Sequence, residues 1–358
     1  MSVENRDDSS SSLIWLRLAW PLLLALGTAG VLALTIVLVG GSPGPAFSEF
    51  ISGVIGSKSG LGGTAARGSM LAFYALGIAL SFRAGILNIG AEGQSRVGAA
   101  AAVALTLGAP GKFFVAHAWL GIPLMLLAGA IGGAFWSLVA GALKRWRGVP
   151  EVIATLMLNF AALHFVKYLV SSHDWLQGNT NFQKNELARE LQFSGWADTE
   201  FHAGVFLAIP AVIAAHVYLF HTAGGLRLRA MGFNRAAARA CGVNCERATL
   251  MIFAVSGALA GLAGAMSVLA AGEISADPAY SEFGYMAISV ALVALLKPLW
   301  IVPAALIFGG MEMGALSMEG GGANVPHWIV YFINGLLILA MLARDAGARR
   351  DLTSEEGA

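Results

Sequence analysis

Cysteine and charge are both scarce in this sequence. Its two cysteines, Cys241 and Cys245, lie in one arginine-rich stretch without a C-x-x-C or any zinc-ligand spacing, so neither a disulfide framework nor a metal site is expected. Charged residues make up 12% of the chain, about half the share usual in a soluble domain. They nearly cancel, to a net charge of +1, and the basic residues are scattered among apolar runs. A nucleic-acid partner is therefore not expected. No G-x-x-x-x-G-K-[ST] phosphate loop is present, so the chain is not its own ATPase, and no H-E-x-x-H occurs. Gly40-Gly41-Ser42-Pro43-Gly44 formally matches the serine-hydrolase elbow, but it ends an apolar run and lacks a strand-turn-helix context. No catalytic residue and no cofactor are expected.

Apolar residues are abundant instead: 57% of the chain, with a mean hydropathy of +0.71. The solvent for most of the chain is lipid. Runs near 13–40, 69–82, 91–108, 119–143, 151–170, 204–222, 249–271, 284–297, 299–317 and 327–343 give about ten candidate spans for a hydrocarbon layer ~30 Å thick. The fold class expected is all-α, a polytopic transmembrane helical bundle. The second and eighth runs are short, as in broken or tilted helices, and the second/third helix region is expected to be broken. Residues 1–12 read as a polar tail, 13–343 as the transmembrane domain and 344–358 as a second tail. The first run is about twice as long as a secretory signal core and reads as an uncleaved span.

Lys144, Arg145 and Arg147, then Arg227, Arg229, Arg235, Arg239 and Arg247, and finally Arg344, Arg349 and Arg350 hold half of the 22 basic residues. Positive charge is retained on the cytoplasmic side during insertion. Ten spans place all three clusters there, with both termini and segment 223–247, and put 171–203 outside. Small-x-x-x-small pairs, Gly129/Gly133, Gly257/Gly261 and Gly310/Gly314, provide for close helix approach.

Three segments carry polar chemistry. Phe82-Arg83-Ala84-Gly85-Ile86-Leu87-Asn88-Ile89-Gly90-Ala91-Glu92-Gly93-Gln94 is too polar and glycine-rich for a lipid-facing helix. A carboxylate at membrane depth costs ~2–4 kcal/mol or more without a partner or water, so Asn88, Glu92 and Gln94 are expected at an interior cavity. The alternative is a cytosolic turn with Glu92 solvated. Gly148 to Phe160 opens a span with Pro150 and Glu151, which suit a helix N-terminus, and sets Asn159 inside the bundle, on the solute path or in an inter-helix hydrogen bond. In the third, Asn234 is a natural N-cap, Arg235, Ala237, Ala238 and Arg239 follow in a helix-forming run, and Gly242 is a natural stop. Such a helix is too short to persist alone and needs a surface to dock on, a protein groove or anionic lipid headgroups. Arg235 and Arg239, at i and i+4, are expected to project together.

In this order the segments resemble the permease subunits of ABC importers of the sugar and branched-chain amino-acid type, and most closely the nucleoside branch associated with basic-membrane-protein receptors. The likeness covers residues 70–343 and rests on F-R-A-G-x-x-N-I-G-A-E-G-Q, E-V-I-x-T-x-M-L-N and the Asn234 segment. Arg235 replaces the proline usual after that Asn, and the polar linker expected near 296–299 is reduced to Leu296-Lys297-Pro298-Leu299. The resemblance implies an inner-membrane permease importing a small polar solute, a nucleoside or a sugar. It implies a homodimer or a pair with a second permease, an ABC ATP-binding subunit (often a fused double ATPase) docked on Asn234 to Gly242, and an extracytoplasmic solute-binding protein. The competing classes are an ion-coupled secondary transporter, which should show intramembrane ionisable relays, and an intramembrane enzyme, which should show a nucleophile and base or metal ligands on facing helices.

Overall fold

The computed structural model describes residues 27, 30–31, 33–37, 40–171, 184–196, 199–275, 282–321 and 335. Most of the first apolar run, the last run, both tails and the third basic cluster lie outside the described residues. Residues 54–313 form one compact unit. Within it α2 (Lys58–Arg83), α3 (Ala91–Ala104), α5 (Ala118–Arg147), α6 (Glu151–Ser171), α7 (Ala208–His221) and α10 (Cys245–Ala271) pack together, with α4 (Gly108–Ala116) short between α3 and α5. The shorter α8 (Ala223–Phe233) and α9 (Arg235–Ala240) connect α7 to α10, while α11 (Phe283–Val293) packs on α2 and α3 and precedes α12 (Pro298–Gly320). Residues 1–53 and 314–358 belong to a second unit. There α1 (Pro43–Ile55) lies so near the end of α12 that a Cβ at Gly314 would come within 2.5 Å of the Phe50 ring.

Among the described residues six helical stretches are long and apolar enough to cross a membrane: Lys58–Arg83, Ala118–Arg147, Glu151–Val170, Ala203–His221, Cys245–Ala271 and Pro298–Gly320. Exposed apolar side chains recur on outer faces at helical spacing, as in Leu127, Ile131 and Phe135 of α5 and Ile153, Met157 and Phe160 of α6. In water such stripes would be an aggregation hazard; against lipid they are a solvated surface. The chain is a multi-pass membrane protein.

The short elements differ in part from the reading of the sequence. The run at 69–82 is the second half of a 26-residue helix, because its first half, Lys58–Gly68, is glycine-rich and buries its glycine face against protein, where low hydropathy carries no penalty. The eighth run is short as expected, forming the 11-residue α11, and the other half-length element is α3, with 14 residues, in place of the second run. At ~1.5 Å per residue both stop well short of ~30 Å. Between α2 and α3 the chain turns through Gly85, at φ 72°, a left-handed conformation that costs glycine nothing, and runs without helix to Gly90.

Helices α3, α5 and α10 cross with almost no side chain between them. A Cβ at Gly98, Gly133 or Gly261 would overlap the backbone of a facing glycine. The pairs Gly129/Gly133 and Gly257/Gly261 are thus the two faces of one crossing. Beyond the far end of α10, β1 (Lys184–Glu186) pairs antiparallel with β2 (Glu273–Ser275). Segment 171–203 therefore contains ordered structure among its described residues.

Candidate functional site

The break before α3 folds inward. Asn88 is fully buried: its Oδ1 accepts from the Gly90 amide and Gln94 Nε2, each at 3.0 Å, and its Nδ2 donates to Ser256 Oγ of α10 at 2.9 Å. From α6, Asn159 Oδ1 accepts from the Gly93 amide at 2.9 Å, while Nδ2 donates to the Ile89 carbonyl at 3.0 Å and the Tyr285 hydroxyl at 3.1 Å. The Ile89 amide donates to Thr155 Oγ1 at 3.3 Å. Two asparagine amides thereby satisfy the backbone that the broken helix leaves without intrahelical partners. Asn88, Gln94 and Asn159 are brought together, each 5% exposed or less.

Glu92 lies at the positive end of two helices at once. It occupies the first turn of α3, and its Oε2 accepts from the Gly284 amide, in the first turn of α11, at 2.9 Å. On its other side, Arg96 Nη2 stands 2.9 Å from Oε1. Burial to 4% exposure excludes the solvated turn. Two helix dipoles, an amide donor and a guanidinium together compensate the desolvation of the carboxylate. Gly284 permits this approach, since a Cβ there would come within 2.6 Å of Glu92 Cα. The sequence reading named none of these partners; only Arg96 carries a local signal, as the basic residue at i+4. Ser256, Tyr285 and Gly284 lie from 126 to 192 positions along the chain from the residues they meet and leave no local signal.

At one end of the bundle the first two basic clusters meet, through Arg145 and Glu246 at 3.3 Å. Here Asn234 caps α9, its Oδ1 accepting from the Ala236 and Ala237 amides at 3.0 Å. Gly242 stops the segment in the left-handed region, at φ 85°. Ala237 and Arg239 are exposed, while Ala238 is buried in a core with Leu228, Met231, Cys245 and Phe253. Arg235 does not project with Arg239. It turns back on α10, its Nη2 donating to Thr249 Oγ1 at 3.1 Å and the Cys245 carbonyl at 3.5 Å, because the α9 to α10 turn brings that hydroxyl and carbonyl within its reach. Phe233, next to the cap, is 91% exposed.

No group of three His, Cys, Asp or Glu side chains able to hold a metal ion occurs among the described residues. Comparison with known proteins matches residues 60–342 to the family described as branched-chain amino acid transport system / permease component. Similar proteins include a guanosine ABC transporter permease protein of Bacillus subtilis, 32% identical over 313 residues, 86% of this chain and 88% of that one. A nucleoside ABC transporter permease protein of Lactococcus lactis is 28% identical over 86% of this chain and 85% of its own. A glucose ABC transporter permease protein of Haloferax volcanii is 29% identical over 92% and 88%.

Proposed function

The chain belongs to the branched-chain amino acid transport system / permease component family, and from that premise we propose that it imports an uncharged nucleoside, with a sugar as the second choice, across the inner membrane. As an ABC permease component it implies an ATP-binding subunit and a substrate-binding protein. In our reading it pairs with a second permease or a copy of itself, on a fused double ATPase, with both termini and segment 223–247 cytoplasmic and 171–203 outside. Helix α9, through Asn234, Arg235, Ala237, Ala238, Arg239 and Gly242, transmits the nucleotide state to the pore. Asn88, Glu92, Gln94 and Asn159 organise the solute path.

The observation that carries this reading is Glu92 between two half-length helices. In membrane carriers the positive ends of broken helices serve as sites for anionic solutes. Here the protein's own carboxylate, held by Gly284 and Arg96, occupies them. Little positive potential is left for a charged solute, which favours a nucleoside or sugar over a nucleotide. The test is uptake into proteoliposomes holding the assembled importer and its receptor. Guanosine is expected to compete, guanosine monophosphate is not, and equal competition by the nucleotide overturns the uncharged-solute reading. Glu92→Gln is expected to reduce uptake by roughly tenfold or more, because removing one partner of a buried ion pair costs about 3–5 kcal/mol locally. Normal transport by an assembled Glu92→Gln importer would remove Glu92 from the path.

A further inference from the structure

Helix α7 carries a lipid-facing stripe: Ile209, Ile213 and Val217, preceded by Phe206 on the adjoining turn, are all about half exposed. One turn further along that face stands Phe220, at the end where the basic clusters meet. Two guanidinium groups lie over its ring. Arg83 Cζ, at the end of α2, lies 5.3 Å from the ring centroid, and Arg229 Cζ, on α8, lies 5.2 Å from it. His216, with its ring centroid 5.1 Å from that of Phe220, and His221 adjoin the same place.

None of the ion pairs among the described residues involves either arginine; the carboxylates pair with Arg67, Arg96, Lys144 and Arg145. Arg83 is partly used, with Nε donating to the Leu296 carbonyl at 2.8 Å and Nη2 to the Leu295 carbonyl at 3.3 Å. Arg229 has no such role: its Nε is buried without a hydrogen-bond partner among the described residues. Two like charges beside one ring, one with an orphaned donor, repel each other and lack a counter-ion. An anion supplied from outside the chain would provide the counter-ion, and Arg is the side chain best shaped to hold phosphate oxygens. The location limits the source. A ring that ends a lipid-facing stripe marks the boundary between hydrocarbon and headgroups, where phosphodiester groups are concentrated.

We propose that the cluster formed by Phe220, Arg83 and Arg229 binds the anionic phosphate headgroup of a phospholipid in the leaflet at that end of the bundle. Its acyl chains would lie along the Ile209, Ile213 and Val217 stripe, and its phosphate would accept from the terminal Nη groups of Arg229 and the remaining donors of Arg83.

The experiment uses the full-length chain in nanodiscs of phosphatidylcholine with and without phosphatidylglycerol, reading retained lipid by native mass spectrometry. Phosphatidylglycerol is expected to stay bound preferentially. Arg229→Gln is expected to reduce its retention roughly fivefold, the effect of one basic side chain at an anionic surface. Arg227→Gln, two positions away and exposed, is expected to leave retention unchanged. Should Arg229→Gln fail to fold, Arg229→Lys, which keeps the charge but loses the planar fork, is expected to fold and retain less lipid than the wild type. Equal retention in wild type and either Arg229 variant overturns the proposal. Displacement of the lipid by millimolar inorganic phosphate would reassign the cluster to a free anion. Loss of retention on adding the ATP-binding subunit would reassign Arg229 to a partner carboxylate, and either result overturns the lipid site.

Discussion

Glu92, His202 and the Leu295–Leu296 pair are each an exception to a local rule, and at each the surroundings decide what the residue can be. Glu92 is a charge inside a membrane protein, and two helix ends and Arg96 make it tolerable. Leu295 and Leu296 sit at φ 52° and 55°, where a Cβ costs about 1–2 kcal/mol per residue. Their carbonyls are held by Arg83, the arginine of the F-R-A-G segment, and this clasp over-determines the turn. His202, outside the spans, is 3% exposed and stacks on Phe193 at 4.5 Å, with no hydrogen-bond partner on either ring nitrogen among the described residues. Desolvation by burial lowers its pKa below the ordinary 6.5, partly offset by Glu200. The unfolded chain therefore takes up a proton that folded His202 resists, so stability falls as pH drops through about 6.5. Thermal unfolding between roughly pH 7.5 and 5.5 is expected to show a larger loss for wild type than for His202→Phe, which keeps the stack. Parallel curves would show that His202 does not contribute.

Helix α9 has six residues, too few to persist without support. Its two attachments are Ala238, buried in the core, and Arg235, bonded to α10; its remaining face, with Ala236, Ala237, Arg239 and Ala240, is open. If that face docks into the ATP-binding subunit, Ala237→Glu introduces bulk and a charge at the contact without touching the inner attachments. Solute-stimulated ATP hydrolysis is expected to fall by roughly tenfold or more, while membrane insertion stays at the wild-type level. Arg239→Ala is expected to change it far less, since an exposed ion pair contributes only about 0–1 kcal/mol. Hydrolysis assays on the co-purified complex distinguish the two, and normal coupling by Ala237→Glu would leave α9 as a simple connector. The α5 to α10 crossing works by the opposite device, in which the absence of side chains at Gly133, Gly257 and Gly261 lets the backbones touch.

For the whole molecule, orientation decides which end meets ATP and which meets the receptor. Arg145, Glu246, Arg83, Arg229 and α9 share one end, and the native thiol Cys241 is exposed there, whereas Cys245 is buried. Trp196, 71% exposed, lies in the segment expected outside. In intact cells a membrane-impermeant maleimide is expected to leave the wild type unlabelled and to label Trp196→Cys. After permeabilisation Cys241 is expected to react as well. Labelling of the wild type in intact cells, removed by Cys241→Ser, would invert the topology.

Composition alone established a helical membrane protein, because 57% apolar residues in long runs have no other stable solvent than lipid. The caps at Asn234 and Gly242 were equally legible, since an N-cap oxygen and a left-handed glycine act within four residues of themselves. So was the polar, glycine-rich break around Asn88, because no lipid-facing helix is built that way. Other features lay beyond any local pattern. The first half of α2 escaped notice because burial against protein places no demand on hydropathy, and Arg235 turned inward because Thr249 stood within reach. Only the tertiary structure decided that Asn88 would meet Ser256 and that Glu92 would meet Gly284 from a second helix start. Hydropathy records how much of a residue's surface must leave water, but not which distant partner will satisfy a polar atom once there; that choice belongs to the packing of α3, α10 and α11.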